Sequence, residues 1–313
     1  NFIMAVRLFE PIELRGLTIP NRIVVEPMTQ FSAEDGVAGD WHFVHLGQYA
    51  ISGPGMVLSE SCYIDAIARN HPSCLSIYND EQEAGIGRVC SFFRNQGSAA
   101  FGVQLCHGGR KASSRRPWEG GGAMSADEGG YEPVAPSPVP IKEGGRVPRE
   151  LSLTEIQAII GMFADSAVRA ARAGCHVVEL HAAHGFLIHQ FLSPVSNRRT
   201  DKYGGSLENR MRFGLEVLSA IRARVGPEFI VGIRYAADEA QAGGITVEEG
   251  LQIGHRLKAT GQVDFLNIIR GRVHTDPALT DVIPVQGMRS APHLDFAGHV
   301  RAELGLPTFH AAR

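Results

Sequence analysis

Three histidines crowd into "VVELHAAHGFLIHQFLSP", residues 177–194: His181, His184 and His189. A metal pair at this spacing needs a helical face and a carboxylate. On a strand Glu179 shares the side of His181, but no third ligand is evident, so no metal is expected. Two structural imidazoles would carry no chemistry. Two N–H groups converging at the end of a strand can stabilise a developing oxyanion or enolate. That reading makes His181 and His184 the candidate catalytic residues. His189 lies deeper and reads as structural. Phe186, two residues after His184, is the wrong residue for a proton donor, because its ring has no exchangeable hydrogen.

Arg234 ends an otherwise apolar strand, "FIVGIR". Its guanidinium is permanently charged. It serves either as a rim ion pair or as a fixed cation facing an electron-rich ligand, such as the N1/O2 edge of a reduced flavin. Gln104 ends another strand and can both donate and accept. Tyr203 in "RRTDKYGGSLENR" sits before a helix start, with Arg198, Arg199 and Arg210 expected in rim salt bridges. Trp41 and His42 either line a cavity or pack.

These residues need elements to position them. "RIVVEP" (22–27), "GMVLSE" (55–60), "AAFGVQL" (99–105), "CHVVEL" (175–180), "FIVGIR" (229–234), "VDFLNII" (263–269) and "LPTFHA" (306–311) are short apolar runs. Apolar runs without alternation suit a parallel sheet buried on both faces. Helices separate them. Ser152 with Glu155 forms a capping box and Gly174 ends that helix; Ser206 caps the next; Thr246 with Glu249 caps a third, which Gly261 stops. The segment 115–150 is rich in Gly, Pro and Ser and reads as a long excursion, a loop with a small hairpin over the site.

Repeated strand–helix units mean a doubly wound sheet or a (β/α)8 TIM barrel. No G-x-G-x-x-G turn follows a strand, which disfavours a dinucleotide-binding sheet. Polar residues gather at the strand ends, as on the C-terminal rim of a barrel. We therefore expect one (β/α)8 barrel domain over residues 1–313, C-terminally incomplete, with its eighth strand beyond Arg313.

Composition is that of an ordinary globular chain: 313 residues, 44% hydrophobic, 20% charged and net charge -3. Nothing in it favours a nucleic-acid or membrane partner, and a small-molecule substrate is expected instead. The N-terminus lacks the charged region and cleavage site of a signal peptide. The five cysteines include no C-x-x-C pair. A cytoplasmic, reducing setting and a homo-oligomer are expected.

Several stretches together resemble the old yellow enzyme family of FMN oxidoreductases: "LFEPIELRGLTIPNRIVVEPMTQFS", "GVQLCHGGRKA", "VELHAAHGFLIHQFLSPVSNRRTDKYGGSLENRMRF" and "VGIRYAAD". The resemblance covers nearly the whole chain. It implies a barrel with FMN at its C-terminal face and NAD(P)H as reductant. Pro27, Met28 and Thr29 would line the flavin through backbone contacts, with Ser61 near the ring. Gln104 would bond the pyrimidine edge, Arg234 would stand at N1/O2, and Arg313 would approach the phosphate. His181 and His184 would hold the substrate's carbonyl or a similar anion.

Three departures matter. Thr29 stands where one branch has a cysteine over the flavin. Phe186 stands where many alkene reductases have a tyrosine proton donor. The segment "IIRGRVHTDPALTDVIPVQGMRSAPHLDFAGHVRAEL" is similar to the trimethylamine dehydrogenase and dienoyl-CoA reductase branch. In that branch a 4Fe–4S cluster follows the barrel, so such a cluster enters only with a C-terminal extension. The implied activity is hydride transfer through flavin N5 to an activated, α,β-unsaturated carbonyl alkene, with a proton from Tyr63, Tyr235 or water. The alternatives are an FMN-dependent amine dehydrogenase or N-demethylase, and a non-catalytic flavin-binding barrel.

Overall fold

The seven apolar runs become seven strands of one parallel sheet. The computed structural model describes residues 6–273 and 275–311; Arg313 and any strand after it lie outside the described residues. In chain order the sheet contains β3 (Val24–Val25), β4 (Met56–Tyr63), β5 (Ala100–Cys106), β8 (Val177–Ala182), β9 (Ile230–Asp238), β10 (Phe265–Arg270) and β11 (Thr308–Phe309). Their spatial order is β11-β10-β9-β8-β5-β4-β3, so each strand pairs with the next of the series. The sheet curls into a barrel: Asn267 on β10 reaches across to Glu26, just past β3, at 2.6 Å.

Helices supply the crossovers that parallel neighbours require: α1 (Asp40–Ser52), α2 (Asp80–Gln96), α3 (Leu153–Ala173), α5 (Leu207–Arg222), α6 (Val247–Ala259), α7 (Asp276–Val282) and α8 (Leu294–Leu304), with the short α4 (Leu187–Leu192) after β8. The expected caps are present. Ser152 and Glu155 bond reciprocally at the start of α3, Ser206 accepts from Asn209 N–H, and Thr246 accepts from Glu249 N–H.

Two features were not anticipated. A hairpin of β1 (Ile12–Leu14) and β2 (Leu17–Ile19) plugs the N-terminal end of the barrel. Its two turn residues, Arg15 and Gly16, both have positive φ (48° and 82°), as a tight hairpin turn demands. The excursion also differs. Its short strands β6 (Val134–Ala135) and β7 (Arg149–Glu150) pair parallel. The expected small hairpin is present as an antiparallel bridge of Ser114 with Ala123, closed by Arg115 N–H to Gly122 O and Met124 N–H to Ser113 O; the parallel clip is a second feature beside it. Trp118 meets Phe31 edge-on at 5.4 Å, which lays the excursion against the rim.

Inside the barrel, side-chain alternation sorts residues into layers. Met56, Ala100, Val177, Ile230 and Phe265 join Leu14 and Ile19 in an apolar floor. Val57, Phe101, Val178, Val231 and Leu266 point the other way, into the core beneath the helices. Gly232 leaves room for the Phe265 ring: a Cβ there would lie 2.0 Å from it.

Candidate active site at the carboxyl ends of the barrel strands

Two residues beyond the floor on β8 comes Glu179, and two beyond that His181. On β9 the same steps lead from Ile230 through Gly232 to Arg234; on β5, from Ala100 through Gly102 to Gln104; on β10, from Phe265 to Asn267. The strands run longer than their apolar cores, so Ser61, Gln104, His181 and Arg234 lie on strands rather than after them. The register sets Gln104 beside Glu179, His181 beside Arg234, and Arg234 beside Asn267.

The result is a buried polar ladder. Ser61 Oγ donates to Gln104 Oε1 at 2.9 Å, and Gln104 Nε2 donates to Glu179 Oε1 at 2.7 Å. Asn267 Nδ2 donates to both Glu179 Oε2 (2.9 Å) and Glu26 Oε2 (2.6 Å). Arg234 Nη1 pairs with Glu26 at 3.3 Å. Burial and the neighbouring Glu26 carboxylate push Glu179 up to about 7, against the pull of Arg234 and the two amides. Arg234 Nε and Asn267 Oδ1 are buried without hydrogen-bond partners. Unmet polar atoms are costly in a protein interior, and these two lie at the mouth of the barrel.

Above the ladder sit the histidines. His184 adopts φ 55°, a left-handed conformation uncommon for a non-glycine residue. The turn is pinned by its neighbours. Gly185 N–H donates to His189 Nδ1 at 2.8 Å, Gln190 Nε2 donates to Gly185 O at 2.7 Å, and Lys111 Nζ donates to His184 O at 2.9 Å. His189 Nε2 lies 3.2 Å from Glu239. Burial alone would raise the Glu239 carboxyl, but His189, Ser193 and the Ile245 N–H hold it down at about 2. His189 is therefore a structural anchor, as expected.

The pinned turn folds the His184 ring back onto His181, Nδ1 to Nε2 at 3.3 Å. Burial first, then the positive surroundings of Arg234 and Lys111, hold both imidazoles well below their ordinary range, with mutual repulsion adding to it at His181. Both are neutral at neutral pH. His181 Nδ1 accepts from Ala183 N–H, which assigns the proton to Nε2. That proton points to His184 Nδ1, leaving the His184 proton on its own Nε2. The pair can offer two N–H donors to one oxygen without carrying charge.

The remaining sequence candidates divide. Pro27 is half-buried, and Met28 and Thr29 are exposed at the rim. That segment is fixed by Glu60, which accepts from Gln30 N–H (3.1 Å) and contacts buried His42 (3.1 Å). Trp41 is exposed and bonds Gln30. Arg199 and Arg210 make the expected ion pairs, with Asp201 and Glu249; Arg198 offers its backbone N–H to Ser137. Tyr203 is buried and its hydroxyl bonds Glu216. Tyr235 is buried and donates to Gly250 O of α6, whereas Tyr63 is buried beside Cys106, on the side of β4 that carries Ser61. Arg313 lies outside the described residues.

Sequence reading missed Glu26, Asn267 and Lys111, and weighed Glu179 only as a metal ligand. The signal was parity: Glu179 and Asn267 stand two residues from floor residues Val177 and Phe265. Among the described residues no three His, Cys, Asp or Glu side chains form a metal cage, and no helix is long and apolar enough to cross a membrane.

The family model described as "NADH:flavin oxidoreductase / NADH oxidase family" matches residues 7–276. A probable N-methylproline demethylase of Rhizobium meliloti (strain 1021) is 43% identical over 310 residues, covering 98% of this chain and 43% of that protein. An NADPH dehydrogenase of Bacillus cytotoxicus (strain DSM 22905 / CIP 110041 / 391-98 / NVH 391-98) is 37% identical over 294 residues, covering 93% of this chain and 79% of that one. Among solved structures, morphinone reductase superposes with a TM-score of 0.78 at 30% identity, covering 97% of this chain and 79% of its own. The chain thus spans less than half the length of the demethylase.

Proposed function

The chain belongs to the NADH:flavin oxidoreductase / NADH oxidase family, and from that membership we propose that it binds FMN and uses NAD(P)H to reduce alkenes activated by a carbonyl group. The observation that carries this reading is the neutral His181–His184 pair standing over Arg234, whose Nε is buried and unpartnered. The donor set suits an isoalloxazine. Arg234 offers a fixed cation to the N1/O2 side, and Gln104, held by Ser61 and Glu179, stands at the pyrimidine edge. Pro27, Met28 and Thr29 line the ring with backbone, and Ser61 lies near it. Arg313, expected at the phosphate, lies outside the described residues.

When bound, FMN would supply two-electron hydride chemistry at N5. The chain's own residues do the rest. His181 and His184 exchange their mutual hydrogen bond for two bonds to the substrate's carbonyl oxygen, which gains negative charge as hydride arrives at the β-carbon. Their neutrality lets them donate without needing acid pH. The excursion 115–150 covers the mouth and would help select the substrate.

A second reading, N-demethylation or amine dehydrogenation, is favoured by the demethylase relative and by Phe186, since amine oxidation protonates no carbon. The electrostatics favour the first. Arg234 and Lys111 make the mouth cationic, which suits a carbonyl or an anion better than an alkylammonium group. A non-catalytic flavin-binding barrel finds no support in the strained, pinned His184. We also read the protein as one barrel domain, a homo-oligomer of a reducing cytoplasm acting on a small molecule; all five cysteines are free thiols. A 4Fe–4S cluster enters only if cysteines follow Arg313.

Anaerobic mixing tests the reading. NAD(P)H should bleach the flavin and an added enone should restore its colour. Bleaching by methylated amines but not by nicotinamides would transfer the function to the second reading.

A further inference from the structure

Lys111 closes the short turn Gly109–Lys111 that follows β5, in the "HGGRKA" stretch. Its Nζ lies 4.3 Å from the centroid of the Phe186 ring and donates to His184 O at 2.9 Å. It therefore stands in the wall that carries the histidine pair, against the residue that lacks a proton. The groups that bear on it are Arg110 on its own turn and Cys106 at the end of β5; His181 and His184 on the facing wall feel its charge together with that of Arg234. No carboxylate among the described residues pairs with it. Burial, opposed by Cys106 and assisted by Arg110, pushes its ammonium down to about 8.

The other candidates for a proton donor at this mouth fall away. The imidazoles are neutral and committed to the carbonyl oxygen. Arg234 cannot release a proton. The Tyr235 hydroxyl is spent on Gly250 O, and burial beside Cys106 and Cys74 pushes the Tyr63 hydroxyl well above its ordinary range, away from an acid useful near neutrality. His107 is held down to about 3 by burial, and its Nδ1 accepts from Gly109 N–H.

We propose that Lys111 is the acid of this site, delivering from Nζ the proton that Phe186 cannot give to the substrate's α-carbon; this rests on the alkene-reductase reading above. The hydride that bonds to the β-carbon would come from the bound flavin, reduced by NAD(P)H. The alkene electron pair shifts onto the α-carbon and oxygen, held by His181 and His184. An Nζ–H bond then breaks as the α-carbon–hydrogen bond forms. Lys111 is left as a neutral amine and takes a proton back from water. An ammonium poised near neutrality suits both halves of that cycle.

The test uses the FMN-loaded protein with Lys111→Met and Lys111→Arg, each checked for an unchanged bound-flavin spectrum. Enone reduction should fall by about 10²- to 10⁴-fold in both. Reduction of a quinone, which needs no carbon protonated, should fall at least tenfold less. Independently of turnover, pulsed acylation of the wild-type protein with acetic anhydride, read by mass spectrometry across pH, should show Lys111 reacting with a midpoint near the value of about 8 to which burial pushes it. Three results would overturn the proposal: Lys111→Met reducing enones at the wild-type rate, Lys111→Arg restoring the rate through charge alone, or an acylation midpoint above about 10, the ordinary lysine range. Wild-type protein that reduces quinones but no enone removes the function reading, and the lysine's role with it.

Discussion

On β8 the floor residue Val177 and the mouth residue His181 point the same way, into the barrel. At Val177 the barrel is closed by apolar side chains and a hairpin. At His181, two steps along the same face, polar groups surround the strand position: Arg234 beside it, Glu179 below and His184 above, with the Phe186 ring packed against the imidazole. The backbone is the same parallel ladder at both ends. What changes is whether the inward position is used to exclude water or to hold charge. The floor gains by the hydrophobic effect and tolerates no polar atom. The mouth keeps buried polar atoms because they bond each other, and it leaves Arg234 Nε and Asn267 Oδ1 unmet. This contrast teaches where to look for binding in such a barrel: along one face, at the layer where satisfied polar pairs give way to unsatisfied ones.

The contrast breaks most visibly at the floor. Phe265→Ala removes a fully buried ring that packs against Gly232 and Phe309. We expect a loss of about 3–5 kcal/mol in chemical denaturation, with flavin and ligand affinity of the surviving folded fraction within about twofold of wild type. A ligand affinity that collapses along with stability would show that floor and mouth are not separable.

At the mouth the opposite pattern is expected. His181→Ala with His184→Ala removes two donors while leaving the apolar floor intact. Binding of a phenolate ligand, followed through the flavin spectrum, should weaken by at least about 10²-fold, in line with hydrogen bonds to charged groups of about 1.5–3 kcal/mol each. FMN should stay bound. Unchanged titrations would remove the oxyanion role from the pair.

How much of this was legible depended on which residues carried the signal. All seven strands showed as apolar runs, because a parallel sheet buried on both faces has little polar interruption. His181, Arg234 and Gln104 showed because they ended those runs. Glu179 and Asn267 were in view but hidden by the same runs: one polar residue inside an apolar strand reads as an exception until the curl of the sheet shows that its neighbours bond it. Glu26 needed contacts across the barrel, to β9 and β10, which no local pattern encodes. The β1–β2 hairpin was missed because its turn is Arg-Gly, not a more common Asn-Gly pair. The parallel clip of the excursion pairs segments 15 residues apart and left no local pattern, unlike the hairpin bridge of Ser114 with Ala123.

Glu179 gives the contrast a pH signature. Its folded-state value of about 7 lies above its ordinary value of 4.5. Between those values the folded protein binds the proton and the unfolded chain does not, so stability is highest at the acid end and falls as pH rises through about 7. Glu179→Gln cannot ionise. Its melting temperature should be lower at pH 5, because its NH₂ meets an amide donor where an oxygen stood, but flatter between pH 5 and 8. Parallel profiles for variant and wild type would mean that Glu179 titrates alike in both states.

The smallest expected effect separates the two proton sources. Phe186→Tyr adds one hydroxyl where the ring of Phe186 packs 4.4 Å from that of His181. If the proton already comes from Lys111, the added hydroxyl duplicates an existing donor. Enone reduction by Phe186→Tyr should then stay within about threefold of wild type. The same change made in Lys111→Met should recover at least tenfold of the lost rate, because a tyrosine of ordinary acidity can act as a general acid. A large gain in the single variant would mean that the native site lacks a proton donor, and that the cationic mouth serves binding alone.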